Sequence, residues 1–299
     1  MSSNRPAADV QVDVALVQRL LESQHPDLAD RPIVEFANGW DNVMFRLGDE
    51  LVVRVPRREM AGRLVANEVA ALPDLAPRLP IPVPTPVRVG HPDDEYPYVW
   101  AVLPWLDGRP VGTDPLADPA AASRQLGEFL RALHVEAPAD APANPYRGQF
   151  IGENDDRLRE RLAADNGTVE AFTDFTVDSL LARWEELIDV AAHGSPPVWL
   201  HGDLHPLNVL TDGTAITAVI DWGDVTSGDP AVDLAVAWNL FEPADRSVMQ
   251  VVAGVDDATW QRAEAWALYF AAVYLLSSDD DPALRTVSLR LFERLGRDR

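Results

Sequence analysis

Apolar residues in the first third of the chain recur first at helical and then at strand-like spacing. In residues 13–28, the apolar positions Val14, Val17, Leu20 and Leu21 lie three, three and one residues apart, which predicts a leading amphipathic helix. Short apolar runs bounded by turn residues then predict β-strands at residues 33–36, 43–47, 50–55, 87–90 and 98–103. One helix is expected among them, at residues 60–72. After its leading helix, this region therefore reads as a small antiparallel sheet with one helix among the strands.

Residues 73–86 form a proline-rich connector within this region. Proline lacks a backbone N–H and clashes with the preceding turn of a helix, so this segment is expected to be extended rather than helical.

Beyond residue 107 the composition changes to alanine, leucine and charged residues at helical period. Helices are expected at residues 119–135, 177–190, 232–241, 258–276 and 282–295, and a loop at residues 137–145. The aromatic residues of the last helices, Trp238, Trp266, Tyr269 and Tyr274, are expected to lie mainly in the core. Residues 279–281, all aspartate, are expected to form a solvated turn and helix cap.

A compact polar motif interrupts this helical pattern. It runs His201-Gly-Asp-Leu-His-Pro-Leu-Asn208, between apolar strands expected at residues 198–200 and 208–210. A turn at residues 211–214 and a third strand at residues 215–220 would form a hairpin that brings Asp221 back beside Asn208. Phosphoryl transfer needs a carboxylate to receive a hydroxyl proton and oxygen ligands for Mg²⁺. Asp203, Asn208 and Asp221 supply that set.

The spacing H-x-D-x-x-x-x-N, followed by an aspartate after an apolar strand, resembles the catalytic loop of protein kinases. Nearly the whole chain resembles the aminoglycoside phosphotransferase family, kinase-like enzymes that phosphorylate small molecules and include macrolide kinases. Gly202 and the segment at residues 228–235 match that small-molecule branch. The resemblance implies that Asp203 is the catalytic base, that Asn208 and Asp221 bind magnesium, and that Asp233 braces the loop. His201 is expected to be a hydrogen-bonded structural residue.

The fold implied is α+β and protein-kinase-like, with a nucleotide-binding lobe at residues 1–104 and a larger helical lobe at residues 105–299. ATP or GTP is the implied phosphoryl donor. By resemblance, Asn42 follows a glycine loop that covers the phosphates, and residues 103–106 hold the purine, with Pro104 as acceptor and Trp105 or Leu106 as donor.

Arg54 is the main departure from the family, because lysine usually stands at this position and the chain contains no lysine. Arginine carries the same charge and binds phosphate bidentately, but it is not interchangeable with an ammonium group. We expect Arg54 to pair with Glu68, which reproduces the strand-to-helix ion pair of kinases.

The acceptor implied is the hydroxyl of a small molecule, foremost an antibiotic such as an aminoglycoside, a cationic peptide or a macrolide. By resemblance, Asp224, Trp238 and Glu242 are candidates for the acceptor wall. A metabolic kinase for a sugar, an amino alcohol or homoserine is the alternative. Arg54 also motivates an alternative of another class, a nucleotide-binding regulatory protein that has lost catalysis. A metal-dependent hydrolase could instead use His201, Asp203, His205 and Asp221 as ligands.

Charge and composition narrow the remaining choices. The formal net charge of −23 disfavours nucleic acid and anionic membranes as partners and favours a cationic ligand, although a GC-rich gene would produce a similar composition. The chain has no cysteine, so disulfides, thiolate nucleophiles and zinc–thiolate sites are excluded. No apolar run reaches the roughly 18 residues of a membrane span, and residues 1–6 lack the layout of a signal peptide. A cytoplasmic monomer is expected.

Overall fold

A computed structural model describes residues 7–112, 116–278 and 281–297. The chain divides into two compact units. The first comprises Met1–Arg78, Pro82–Leu106 and Ile220–Val225, and the second comprises Leu79–Ile81, Asp107–Val219 and Thr226–Arg299. One unit is built mainly on a sheet and the other mainly on helices, so the α+β class is confirmed.

The first unit is an antiparallel sheet with helices against it. Its elements are α1 (Val14–Gln24), β1 (Ile33–Asn38), β2 (Asn42–Leu47), β3 (Leu51–Pro56), α2 (Glu59–Leu75), β4 (Arg88–Gly90) and β5 (Trp100–Pro104). The strand order is β1-β2-β3-β5-β4, and every neighbouring pair is antiparallel. The apolar stripe predicted for α1 packs on this sheet, since Val17, Leu20 and Leu21 are buried in one cluster with Phe45 and Trp100.

The proline-rich composition predicted that the helix ends before Pro73, but α2 does not stop there. It continues through Pro73 to Leu75 and ends in a 3₁₀ turn at Ala76–Arg78. The missing N–H of Pro73 costs one hydrogen bond inside the helix. Leu72 and Leu75 are fully buried on either side of it, and this apolar burial offsets the loss. The expectation of an extended connector was therefore wrong for residues 73–78.

The second unit is mainly helical. Its elements in chain order are β6 (Arg109–Pro110), α3 (Pro119–Leu133), α4 (Asp155–Ala163), α5 (Thr168–Phe172), α6 (Val177–Ile188), β7 (Val198–Leu200), β8 (Val209–Thr211), β9 (Ile216–Val219), β10 (Thr226–Gly228), α7 (Ala231–Leu234), α8 (Val236–Leu240), α9 (Pro243–Ala253), α10 (Asp257–Leu275) and α11 (Pro282–Arg297). Where one helix was expected at residues 232–241, the chain forms α7 and α8, which meet at Ala235.

Periodicity did not predict α9. Its buried face contains Arg246 beside Met249 and Ala253, so it does not read as an apolar stripe. Pro243 at its first turn and Gly254 just after its end are typical helix boundary residues, and they were the available signal.

Two small sheets in this unit flank the polar motif, one of order β6-β8-β9 and one of order β10-β7. Strands β8 and β9 form an antiparallel hairpin that pairs Val209 with Val219, and β7 pairs with β10. The predicted turn at residues 211–214 is present, because the Asp212 side chain accepts hydrogen bonds from Thr214 N at 2.8 Å and Ala215 N at 3.0 Å. The hairpin therefore follows directly from local turn chemistry.

The aromatic residues expected in the core are buried: Trp238, Trp266, Tyr269 and Tyr274. Asp281 caps α11 by accepting from Leu284 N at 2.9 Å, while residues 279 and 280 lie outside the described ranges. Residues 1–6, on which the signal-peptide argument depends, lie outside them as well. Within the described part of the chain, no helix combines the length and apolar character of a membrane-crossing segment.

Candidate active site

Asp233 of α7 holds the polar loop between β7 and β8 in the second unit. Its two carboxylate oxygens accept from His201 N at 2.8 Å and Gly202 N at 2.9 Å, and His134 Nε2 lies 3.1 Å from the same side chain. Both Asp233 and His201 are fully buried. Gly202 has φ +84°, a left-handed conformation that glycine adopts without a steric cost. One buried carboxylate thus satisfies two consecutive backbone donors and fixes the loop that carries Asp203.

The Asp203 carboxylate lies among donors. Its Oδ1 is 3.4 Å from Arg147 Nη2 and 3.4 Å from the Tyr274 hydroxyl, while its Oδ2 is 3.5 Å from His205 Nε2. Burial by itself raises the pKa of Asp203, but the nearby His205 and Arg147 outweigh it and hold that pKa well below its usual range. Asp203 is therefore an ionised acceptor at neutral pH, the state that a hydroxyl donor requires.

Asn208 closes the other end of the loop. Its Nδ2 donates to the Asp203 carbonyl at 3.0 Å, and its backbone N–H donates to the His205 carbonyl at 2.9 Å. Because the amide nitrogen is turned toward Asp203, Oδ1 is the side-chain atom that can act as a metal ligand.

Asp221 follows β9 by two residues and belongs to the first unit. It has φ +62°, and within the described ranges no other non-glycine residue has a positive φ. Aspartate is one of the few side chains that tolerate this region.

Arg54 joins three acceptors in the first unit. Its Nη1 donates to Glu68 Oε2 at 2.5 Å and its Nη2 donates to Asp221 Oδ1 at 2.8 Å. With the Asn42 amide oriented to satisfy its neighbours, Asn42 Oδ1 accepts from Arg54 Nη2 and Nε at 3.1 and 3.2 Å. Arg54 and Glu68 are both buried. Burial raises the pKa of Glu68 to about 7, whereas the charge of Arg54 acts in the opposite direction.

In the segment at residues 103–106, one of the two backbone N–H groups considered for hydrogen bonding a purine is already used within the protein. The backbone N–H of Trp105 donates to the Glu50 carbonyl at 2.7 Å. Of the two residues considered as donors for a purine edge, Leu106 is therefore the one whose N–H is not committed to this contact. The Arg46 guanidinium stacks 3.6 Å from the centre of the Trp105 ring. Pro104 ends β5, where it pairs with Leu51.

The residues suggested for the acceptor wall lie in different surroundings. Trp238 is buried in α8, with its ring centre 4.9 Å from that of Trp260. Glu242 precedes α9, is half-exposed and accepts from Arg297 of α11 at 2.9 and 3.0 Å. Asp224 is partly exposed, in the segment Ile220–Val225 of the first unit.

Sequence reasoning missed Arg147 and assigned Tyr274 mainly to the core. Arg147 lies in a loop after α3 with no periodic pattern, and no local signal marks it. Its contact with Asp203 spans 56 residues of chain, and that of Tyr274 spans 71.

Among the described residues, no three His, Asp or Glu side chains form a group that could hold a metal ion. The four ligands considered for a hydrolase are thus not such a group. The pair expected to bind magnesium is an amide and a carboxylate, whose oxygen atoms suit a hard cation.

Residues 32–267 match the model of the phosphotransferase enzyme family. The chain belongs to this family. It is therefore a phosphotransferase, a kinase-type enzyme, and the resemblance drawn from the His201–Asn208 motif is confirmed.

Relatives of known sequence or structure agree with this family assignment. Over 250 residues the chain is 28% identical to viomycin phosphotransferase of Streptomyces vinaceus, covering 77% of this chain and 81% of that protein. It resembles the GDP complex of aminoglycoside 2'-phosphotransferase-IIIa with a TM-score of 0.74 and 18% identity, covering 96% and 100% of the two chains. It also resembles the structure of macrolide 2'-phosphotransferase MphH from Brachybacterium faecium, with a TM-score of 0.63 and 24% identity, covering 93% of this chain and 97% of that chain. These structural similarities confirm the kinase-like fold of the phosphotransferase family.

Proposed function

We propose that this phosphotransferase transfers the γ-phosphoryl group of ATP or GTP, with Mg²⁺, to a hydroxyl of a small-molecule antibiotic. The observation that carries the proposal is the Asp203 carboxylate, ionised and held on a loop that the buried Asp233 braces. An ionised carboxylate in a fixed position can orient a hydroxyl and accept its proton as the phosphorus–oxygen bond forms.

The remaining roles follow from the donor and acceptor chemistry of each residue. Asn208 and Asp221 would hold Mg²⁺ through their side-chain oxygens, and the metal would neutralise charge on the phosphates. Arg54 would donate to phosphate oxygens, with Glu68 orienting its guanidinium from the opposite side. His201 would act only through the backbone contact that Asp233 makes with it.

A nucleoside triphosphate as donor is supported by the structural neighbours. Solved relatives include GDP complexes and a ternary complex of APH(2")-IIa with ATP and streptomycin. For the nucleotide we propose contacts with Asn42, with the Pro104 carbonyl and with the Leu106 N–H. ATP and GTP both suit this pair of contacts, because each purine presents an acceptor and a donor on its edge.

An antibiotic acceptor is supported by the relatives named for viomycin, aminoglycosides and macrolides, and by the net charge of −23, which attracts cationic ligands. Asp224, Trp238 and Glu242 stay candidates for its binding. The second candidate is a metabolic kinase for a sugar, an amino alcohol or homoserine. One observation favours the sugar among these acceptors, because Arg147 places a cation 3.4 Å from the Asp203 carboxylate.

The test is Asp203→Ala, with Asp140→Ala as a matched control, because Asp140 is exposed in the loop after α3. We expect acceptor-dependent release of nucleoside diphosphate to fall by roughly three orders of magnitude, since the base and the orienting group are lost together. Nucleotide affinity, measured by calorimetry, should change little in either variant. Wild-type turnover in Asp203→Ala would reject this mechanism.

A further inference from the structure

The two oxygens of the Asp203 carboxylate face different groups within the second unit. Oδ2 faces His205, whose Nε2 also lies 3.4 Å from Nδ2 of Asn208, the proposed metal ligand. Oδ1 faces Arg147 and Tyr274, each 3.4 Å away. Because Oδ2 is the oxygen beside His205 and Asn208, Oδ1 is left as the oxygen that an acceptor hydroxyl would approach.

Arg147 is held in place by its backbone. Asn144 Oδ1 accepts from Tyr146 N at 2.9 Å, and Asp229 N donates to the Gly148 carbonyl at 2.8 Å. Gly148 and Gly228 pack so closely that a Cβ on Gly228 would lie 2.1 Å from the Gly148 carbonyl oxygen. A loop fixed in this way positions the Arg147 guanidinium before any acceptor binds, which lowers the entropic cost of using it.

Aromatic rings surround this guanidinium. Its carbon lies 5.1 Å from the centre of the Phe270 ring, and Phe270 stacks on Tyr274 with ring centres 5.4 Å apart. The Arg147 side chain is 19% exposed. Charge interactions are stronger in such partly dry surroundings than in water. The sign of the charge on a substrate group beside Arg147 therefore strongly affects how tightly that substrate binds.

We propose that Arg147 and Tyr274 form an acceptor subsite that selects a hydroxyl flanked by a carbonyl or carboxylate oxygen and rejects one flanked by an ammonium group. This inference rests on the proposed function of Asp203 as the base. When the hydroxyl donates to Asp203, the group on its neighbouring carbon comes within reach of the guanidinium. An oxygen there accepts a charge-assisted hydrogen bond, whereas an ammonium group meets a permanent like charge.

The Arg147–Tyr274 subsite limits which cationic acceptors the negative net charge of the protein can favour. A net charge of −23 attracts cationic molecules to the surface, but the cation beside the catalytic carboxylate is part of the protein. A cationic acceptor therefore fits only if its amines lie away from the reacting hydroxyl.

Two small hydroxyl compounds of opposite charge test the inference by binding, in the absence of nucleotide. N-acetyl-L-serine carries a carboxylate on the carbon next to its hydroxymethyl group, and 2-amino-1,3-propanediol carries an ammonium on the equivalent carbon. Titrations followed by protein NMR should show that the wild type binds the first probe at least about tenfold more tightly, the factor typical of a charge-assisted hydrogen bond. Arg147→Ala should remove that preference, and Tyr274→Phe should reduce it only in part.

Arg124→Ala is the matched control, because Arg124 is exposed on α3 and its removal changes the net charge equally. It should keep the wild-type preference. Equal binding of the two probes by the wild type, absence of binding by N-acetyl-L-serine, or an unchanged preference in Arg147→Ala would each overturn the inference. The proposed function is judged separately by the turnover of Asp203→Ala, so failure of one is distinguishable from failure of the other.

Discussion

At the scale of the residue, Arg54 stands at the position where the resemblance implies a lysine, and the chain contains no lysine. An ammonium group is a compact point charge, whereas the guanidinium fork has five donors in one plane. Arg54 uses this fork to reach Glu68, Asp221 and Asn42 together. The substitution of arginine for lysine is thus accompanied by a set of acceptors that matches a planar donor.

The ion pair of Arg54 and Glu68 predicts a non-additive effect on stability. Arg54→Met leaves the Glu68 carboxylate buried without its cation and should lower the free energy of unfolding by about 3–5 kcal/mol, the usual cost of breaking a buried pair. Combining it with Glu68→Leu should recover a large part of this loss, because the buried unpaired carboxylate is then gone and Asp221, which also loses Arg54, is exposed to water. Urea unfolding of both single variants and the double variant measures the coupling. If the two losses simply add, the pair does not act as a unit.

At the scale of the element, the close contact between Gly148 and Gly228 joins β10 to the loop that carries Arg147. Gly228 is the last residue of β10. The next residue, Asp229, donates its backbone N–H to the Gly148 carbonyl. No side chain fits between these two backbones. The contact therefore fixes the backbone of the loop from which Arg147 reaches to within 3.4 Å of Asp203.

Gly228→Ala should therefore lower stability by roughly 1–3 kcal/mol, the range for overpacking, and should also lower turnover because Arg147 moves. Gly194→Ala is the control, since a Cβ there meets no atom within 4 Å. It should be neutral or stabilise by about 0.4–1 kcal/mol through the unfolded chain. Thermal unfolding and initial rates of both variants test this, and equal behaviour of the two would contradict the role given to the contact.

The N-terminus of α10 predicts a dependence of stability on pH. Asp256 accepts from Thr259 N at 2.8 Å and caps this largely buried helix. Hydrogen bonds from Thr259 lower the pKa of Asp256 in the folded protein. A lowered pKa contributes stability above the unfolded value of about 3.9, and this contribution is lost as the pH falls through the folded value.

Asp256→Ala should cost about 1 kcal/mol at pH 7, as is usual for loss of a helix cap. The difference from wild type should shrink as the pH falls below about 4. Asp256→Asn keeps a capping side chain without the charge, so it should lose less at pH 7. Its difference from wild type should also shrink on acidification, because the titrating carboxylate belongs to the wild type. Urea unfolding of the three proteins at pH 7 and pH 3.5 measures this, and a difference that grows on acidification would contradict it.

At the scale of the whole molecule, the charge of −23 is a cost to folding as well as an attraction for cations. Many acidic side chains stand in ion pairs with arginine, such as Glu242 with Arg297, but 48 acidic residues exceed 25 basic ones. The surplus acidic side chains repel one another at low ionic strength, where the Debye length reaches about 30 Å and charges are poorly screened.

Raising NaCl from 10 to 300 mM at pH 7.5 should therefore stabilise the protein. We expect a gain of roughly 1 kcal/mol or more, seen as a Tm higher by about 2–4 °C. Repeating the scan near the calculated pI of about 4.5 is the control, because the net charge there is close to zero and the salt effect should vanish. A salt effect of equal size at both pH values would point to ion binding instead of screening.

The sequence by itself predicted the strands of the first unit, β7 to β9, most helices and the hairpin after Asn208, because apolar periodicity and turn chemistry act over a few residues. It did not predict the short strands β6 and β10. It also predicted the chemistry of the His201–Asn208 loop, whose members lie within eight consecutive positions. Signals that depend on burial were misread: Pro73 lies inside α2, and α9 contains the buried Arg246.

Only the tertiary structure brought Arg147 and Tyr274 to Asp203, from a loop and a helix that are 56 and 71 residues distant along the chain. It also decided that Trp105 donates to Glu50, which leaves Leu106 as the proposed purine contact. Such contacts depend on how helices and loops pack, and packing is a property of the whole fold that no local pattern of residues encodes.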